Sequence, residues 1–328
     1  MNRVQQLAYS LIEDDAKFIY TLCFAHDSLK NNYIVMALPY IGLFTDGAEQ
    51  WGKKVGLSSP LFSEKEKKYY TYLRNSSKLL SLTYDEFYKK LFLEFKYSDN
   101  YFYQIQSWIE KNFLGYRNVG VDFYNGIPCG NTILCGIYTP FNPLHQNVDG
   151  NEIKKLSEFA GRITGFYINS DFPKLNIDNT ATVKTADFHF FKKCPLKHYA
   201  TFDSFCLYSI LCAINYNLYF IECFTSNNFT FKLRAAYLQY YYLLSLLPQI
   251  NRKLNTNFFL SDKWFNPNFR NCMAHYGLGQ VMNDTDILTD TIMGGLIEKV
   301  FHMDYYTFKR LIFKELALLK AQLEQYLF

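Results

Sequence analysis

The sequence of 328 residues predicts a mainly helical protein, α+β overall, in which two helical flanks enclose a small strand- and loop-rich middle. Three observations carry that prediction. Apolar residues recur at helical spacing as far as about Tyr116 and again beyond Cys194, the pattern of helices that bury one face. Between about Arg117 and Phe191 that period gives way to short runs punctuated by Gly, Asn and Pro, which is how strands and turns read. A hydrophobic content of 49% with only 20% charge leaves ample apolar surface to offset the entropy of ordering two domains or one large one.

The first helix is read from Val4, Leu7, Ala8, Leu11, Ile12, Phe18, Ile19, Leu22 and Cys23, which share a face. A later helix is signposted by Thr83-Tyr84-Asp85-Glu86, a capping box in which hydroxyl and carboxylate each satisfy the other residue's backbone donor. Phe87, Leu91, Phe92 and Phe95 continue it as one stripe. In the middle, Asn125-Gly126 separates two apolar runs, Val119 to Tyr124 and Ile127 to Cys129. Both turn residues tolerate positive φ, so a hairpin is expected. Thr132 to Phe141 reads as a further strand-like run and Thr180 to Phe190 as an alternating strand. After Cys194-Pro195, helices are expected over about His198 to Phe224, Phe229 to Leu254 with Pro248 near its end, a short stretch after Pro267, Ile287 to His302, and Asp304 onward. In the last, Phe308, Leu311, Ile312, Leu316, Leu319, Leu323, Tyr326 and Leu327 face one way, as a bundle helix requires. The organisation expected is an N-terminal helical and strand-rich region, 1–192, and a helical bundle, 193–328.

Composition narrows the function classes. Lys+Arg total 34 against 30 Asp+Glu, a net charge of +4, which permits contact with a polyanion without demanding it. The eight cysteines show no CxxC pairing, the usage of a reduced intracellular chain rather than a disulfide scaffold. Glu13, Asp14 and Asp15 interrupt the apolar run that a secretory signal needs, so a cytoplasmic location is expected. Ser204 to Ile221 is free of charge and at the length threshold of a spanning helix. Asn215 and Asn217 lie inside it and Asp203 and Glu222 bracket it, so a buried bundle helix with no membrane role is the expectation. Aromatics reach 19%, so rings must build much of the core while tyrosine hydroxyls find a polar rim.

The stretch with most chemical content is Asn266-Pro-Asn-Phe-Arg270-Asn271-Cys-Met-Ala-His275-Tyr276-Gly277. Pro267 suits the first position of a helix and Gly277 or Gly279 its end. Arginine offers a permanent planar cation to phosphate oxygens, and histidine, with an ordinary pKa of about 6.5, moves protons near neutrality. Five residues of ideal helix rotate by about 500°, or roughly 140° net. Arg270 and His275 therefore meet one phosphate only through a bend or through the arginine's long side chain.

On these residues the chain from near Cys194 to its end resembles the HEPN superfamily, helical bundles whose ribonuclease members carry Arg-x(4 to 6)-His with a polar residue right after the Arg. The resemblance implies a HEPN-like bundle acting as a metal-independent endoribonuclease with no cofactor. RNA supplies its own 2′-OH nucleophile. His275 would take that proton or deliver one to the departing 5′-oxygen, and Arg270 would stabilise charge building on the phosphate. Asn271 would orient the histidine or bond the phosphate, with Tyr276 as a weaker substrate contact. The implied products are a 2′,3′-cyclic phosphate and a 5′-hydroxyl, and the implied assembly is a homodimer that sets two Arg-His pairs side by side. Family habit adds a toxin or anti-phage effector, with a neutralising antitoxin or a trigger acting through residues 1–192. One departure stands out: toxins of this family paired with nucleotidyltransferase antitoxins carry Tyr two residues after the His, where this chain has Gly277, with Tyr276 adjacent.

Two rival readings remain. One is a non-catalytic HEPN-like bundle that binds RNA or a protein; the other is an unrelated helical interaction protein in which Arg270 pairs with a carboxylate. Lesser signals are Asp187-Phe-His189, two arms of a metal site without a third, and Cys194-x3-His198, which lacks a second ligand pair. Tyr240-Tyr241-Tyr242 reads as base-stacking rings or as core and rim. No GxGxxG or GxxxxGK[ST] motif is present.

Overall fold

The amphipathic N-terminal stretch folds as α1 (Arg3–Leu29), followed by α2 (Tyr33–Lys54), α3 (Glu64–Ser76) and α4 (Tyr84–Ile105). A computed structural model describes residues 3–29, 33–54, 56–140, 150–169, 171–192, 194–196, 201–275 and 293–328. α4 starts at the expected capping box: the Thr83 hydroxyl accepts from the Glu86 amide and the Glu86 carboxylate from the Thr83 amide. A π-helical turn, Glu110–Gly115, then leads into the sheet.

The hairpin forms where the sequence places it. β1 (Val119–Tyr124) and β2 (Ile127–Asn131) pair antiparallel around Asn125 and Gly126, at φ of 48° and 78°. β3 (Val183–Phe188) pairs with the other edge of β1, Val119 opposite Phe188 and Tyr124 opposite Val183, giving the order β2-β1-β3.

Two parts of the middle region differ from expectation. The run from Thr132 to Tyr138 is not a strand, and Phe141 lies outside the described residues; α5 (Thr132–Tyr138) begins there because the Asn131 side chain accepts from the Ile133 and Leu134 amides and caps a helix. The loop-rich stretch before β3 contains α6 (Gly150–Ile168). Its Ala160, Ile163, Thr164 and Tyr167 recur at helical spacing, and the last three are buried.

The C-terminal portion follows as α7 (Phe202–Asn215), extended by a π-helical stretch Tyr216–Ile221, then α8 (Thr230–Leu254), α9 (Pro267–His275), α10 (Gly294–Phe301) and α11 (Tyr305–Leu327). The starts expected for the first and fourth of these, His198 and Ile287, lie outside the described residues, as do Tyr276, Gly277 and Gly279. Phe202–Ile221 is long and apolar enough to cross a membrane, yet 89% of its apolar window is buried inside the protein. Both of its asparagines are bonded there: Asn215 donates to the Pro128 carbonyl at 3.0 Å, and Asn217 donates to Gln239 at 2.9 Å while accepting from Tyr40 at 2.8 Å.

The core runs without a break across residue 192. Phe18 of α1 stacks on Phe231 of α8 at 4.7 Å, and Tyr84 of α4 donates to Asp203 of α7 at 2.6 Å. Arg234 of α8, only 1% exposed, is ion-paired with the fully buried Asp15 of α1. This joint between the N-terminal and C-terminal helices fixes the surroundings of α9.

Candidate functional site

α9 is held on three sides. At its start the Asn266 side chain accepts from the Phe269 amide at 2.8 Å, and Pro267 supplies the first turn without spending a donor. Phe269 fills a cage of rings, 4.7 Å from Tyr237, 4.9 Å from Phe301 and 5.5 Å from Phe308. Near its end, the Met273 carbonyl would lack an intrahelical partner. Arg234 donates to it from Nε at 3.0 Å and Nη2 at 2.8 Å while its third nitrogen pairs with Asp15. A short helix is thereby clamped by buried charge and aromatic packing, with its polar face left open.

On that face Arg270 lies against two tyrosines, its Cζ 5.7 Å from the Tyr241 ring centre and 5.2 Å from that of Tyr242. Nη2 donates to the Tyr242 hydroxyl at 3.0 Å and Nη1 to Asn271 Oδ1 at 2.9 Å. Nε is buried without a hydrogen-bond partner among the described residues. Tyr241 in turn stacks flat on Phe265 at 4.6 Å, and Tyr240 is core, with its hydroxyl donating to the Ser261 carbonyl. The tyrosine run thus splits between core and a platform under Arg270.

His275 meets a residue that sequence reasoning did not place near it. Arg74 Nη2 lies 2.6 Å from Nδ1 and 3.2 Å from Nε2 of the imidazole. A guanidinium only donates, so the ring nitrogen it contacts must present a lone pair, and the imidazole is neutral. The surroundings agree: burial, then Arg74, Arg270, Lys78 and Arg234, push the His275 pKa down to about 4. Arg74 Nη1 is anchored 2.5 Å from Asp46 Oδ2, whose carboxyl burial pushes up against the opposing pull of Arg74. Lys78 is also depressed, by burial and by Arg74 and Arg270. Arg74, Lys78 and Arg270 therefore face a single nearby carboxylate, Asp46, among the described residues.

Local sequence explains why Arg74 arrives there. α3 is started by a Ser63–Glu66 capping box, which sets the phase of Arg74 in its last turn. α2 crosses α3 at Gly42, where a Cβ would stand 2.6 Å from the Arg74 amide nitrogen. Asp46 follows Gly42 by one helical turn on the same face, which puts its carboxylate beside the guanidinium.

The structure gathers Arg270, Asn271 and His275 on one helix but does not bond Arg270 or Asn271 to His275. Asn271 accepts from Arg270, and Arg74 occupies the imidazole edge. Tyr276 lies outside the described residues. Asp46, Arg74 and Lys78 were not legible as site residues, whereas Tyr242 was named in the tyrosine run. Arg74-Asn75 does repeat the Arg-Asn pair of Arg270-Asn271, but nothing in the sequence relates the two in space. Asp187 and His189 line a common cleft, and no group of three His, Cys, Asp or Glu able to hold a metal occurs among the described residues. The cysteines are unpaired. His198, the second arm of the Cys194 pair, lies outside the described residues.

A neutral imidazole ringed by cations can bind an anion and accept a proton. No protein-family model, curated protein or solved structure matches this chain.

Proposed function

We propose that this site cleaves RNA by attack of its 2′-OH on the adjoining phosphate, without a metal. The observation that carries the reading is His275, held neutral by Arg74 within a ring of cations. A phosphodiester entering the site would meet Arg270, with its unused buried Nε, and Lys78, whose lost hydration makes an anionic partner favourable. The arriving negative charge offsets the same cations that depress His275, so the imidazole becomes more basic as substrate binds. His275 then takes the 2′-OH proton as the 2′-oxygen bonds to phosphorus, Arg270 stabilises the charge on the phosphate, and the P–O5′ bond breaks, the departing 5′-oxygen taking a proton from water. Asn271 acts through Arg270, limiting the guanidinium's rotation. By analogy alone, the protein would work in the cytoplasm as a homodimeric HEPN-type toxin or anti-phage effector, controlled through residues 1–192 by a trigger or antitoxin.

A second reading is favoured by the same contact. With Arg74 on its edge, His275 suits a fixed binding surface for RNA or protein as well as a proton carrier.

The test is incubation of the purified full chain with end-labelled RNA in EDTA, followed by analysis of the new ends. Cyclic-phosphate ends, lost in Arg270→Ala and His275→Ala variants that keep the wild-type circular dichroism, support cleavage. RNA binding without any scission supports the second reading, and scission unchanged in both variants would refute the first.

A further inference from the structure

A second cleft, of about 780 Å³, opens between the end of α4, the Glu110–Gly115 turn and the outer edge of β3. That volume is within the range of small-molecule sites, roughly 300 to 1,000 Å³. It shares no residue with the His275 site. Lys111, Arg117 and Lys192 line it, and none has an ion-pair partner among the described residues. Lys111 Nζ instead lies 4.4 Å over the Tyr103 ring. Two carboxylates also line the cleft. Asp99 is occupied, accepting from the Tyr116 hydroxyl at 2.9 Å and the Asn118 amide at 2.7 Å. Asp187 makes no hydrogen bond among the described residues, and its neighbour His189 keeps a buried Nδ1 with no partner among them.

The apolar side of the cleft keeps exposed ring surface. Tyr103 is 54% exposed and Phe191 38% exposed. The Glu110–Gly115 turn buries none of its residues, and its Leu114, which lines the cleft, is 64% exposed. Exposed rings beside unpaired cations are a costly surface to leave bare, and such surfaces mark binding sites. Flat rings take a base by stacking, the cations take phosphate, and a free carboxylate is an acceptor for ribose hydroxyls.

We propose that this cleft binds a nucleoside phosphate, either free or as one residue of a single strand. Arg117 and Lys192 hold the phosphate, Asp187 accepts from the ribose, and the base lies against Tyr103 and Phe191.

Binding is read by isothermal titration calorimetry. The full-length His275→Ala protein is titrated with each of the four ribonucleoside triphosphates, with inorganic tripolyphosphate, and with a labelled hexaadenylate. Saturable binding of a triphosphate or of the hexaadenylate is expected. It should weaken about tenfold or more in an Arg117→Ala/Lys192→Ala double variant, a change in exposed residues. Tyr103→Ala should weaken nucleotide binding and spare tripolyphosphate. Preference for the hexaadenylate over free nucleotides identifies a strand as the source; the reverse identifies a free nucleotide. Absence of saturable binding by all of these ligands, full retention in the double variant, or tripolyphosphate binding as tightly as the nucleotides would each overturn the proposal. None of these outcomes depends on cleavage at His275.

Discussion

Arg74 and His275, 201 positions apart in the chain, meet through a 2.6 Å contact between Nη2 and Nδ1. Burial first, then the donor-only guanidinium, hold the imidazole neutral, so removal of Arg74 should release the ring in part. In Arg74→Gln the His275 pKa should climb from about 4 toward its ordinary 6.5, read by NMR titration of the imidazole. If cleavage occurs, the acid limb of its pH profile should move upward with it. An unmoved pKa would show that burial and the remaining cations set it.

The same shift bears on stability. The folded pKa of His275 lies below the unfolded one, so as pH falls from 6.5 toward 4 the unfolded chain binds a proton that the folded chain refuses. Above that window the group contributes no pH dependence. His275→Gln should lose this part of the acid destabilisation, seen as a flatter melting temperature between pH 6.5 and 4.

Asp14 titrates with the opposite sense. Burial first, then Asp15, raise its pKa from 3.8 to about 7, although it accepts from the Thr230 amide at 2.8 Å. The folded state keeps a proton that the unfolded state has lost, so stability falls as pH rises from 3.8 to about 7. Asp14→Asn retains an acceptor for Thr230 without the charge. Its melting temperature should exceed wild type at pH 8, and the gain should vanish near pH 4.

The buried pair that clamps α9 should be strongly coupled. Arg234→Met removes the ion-pair partner of the fully buried Asp15, a change that costs about 3 to 5 kcal/mol in comparable sites. The double variant Arg234→Met/Asp15→Leu should recover much of that loss in denaturant unfolding. Additive losses would mean that the pair contributes little as a pair.

The α2–α3 crossing should be equally sensitive. In Gly42→Ala the new methyl would stand 2.6 Å from the Arg74 nitrogen and 2.7 Å from the Leu73 carbonyl carbon, backbone atoms that cannot rotate away. Overpacking of this kind costs about 1 to 3 kcal/mol. Displacement of α3 should also raise the His275 pKa, which ties the crossing to the site in one NMR experiment.

Local chemistry made much of this protein legible from sequence alone. The Thr83–Glu86 box, the Asn125-Gly126 hairpin, Pro267 at the head of α9 and Asp304 capping α11 are decided within a few residues, because a cap or turn closes its hydrogen bonds locally. α5 was misread because its apolar run is short enough for either period, and the Asn131 side chain decided the outcome. α6 was missed although Ala160, Ile163, Thr164 and Tyr167 mark its face, because Gly150, Gly161 and Gly165 read as loop punctuation. The sequence by itself determined that Arg270, Asn271 and His275 share one short helix between longer ones. Tertiary structure alone decided that Arg270 rests on Tyr242, that Asp46 anchors Arg74, and that Arg74 controls His275. Those contacts depend on the crossing at Gly42 and the buried Asp15–Arg234 joint, where helices distant in sequence pack, and no local period encodes such a meeting.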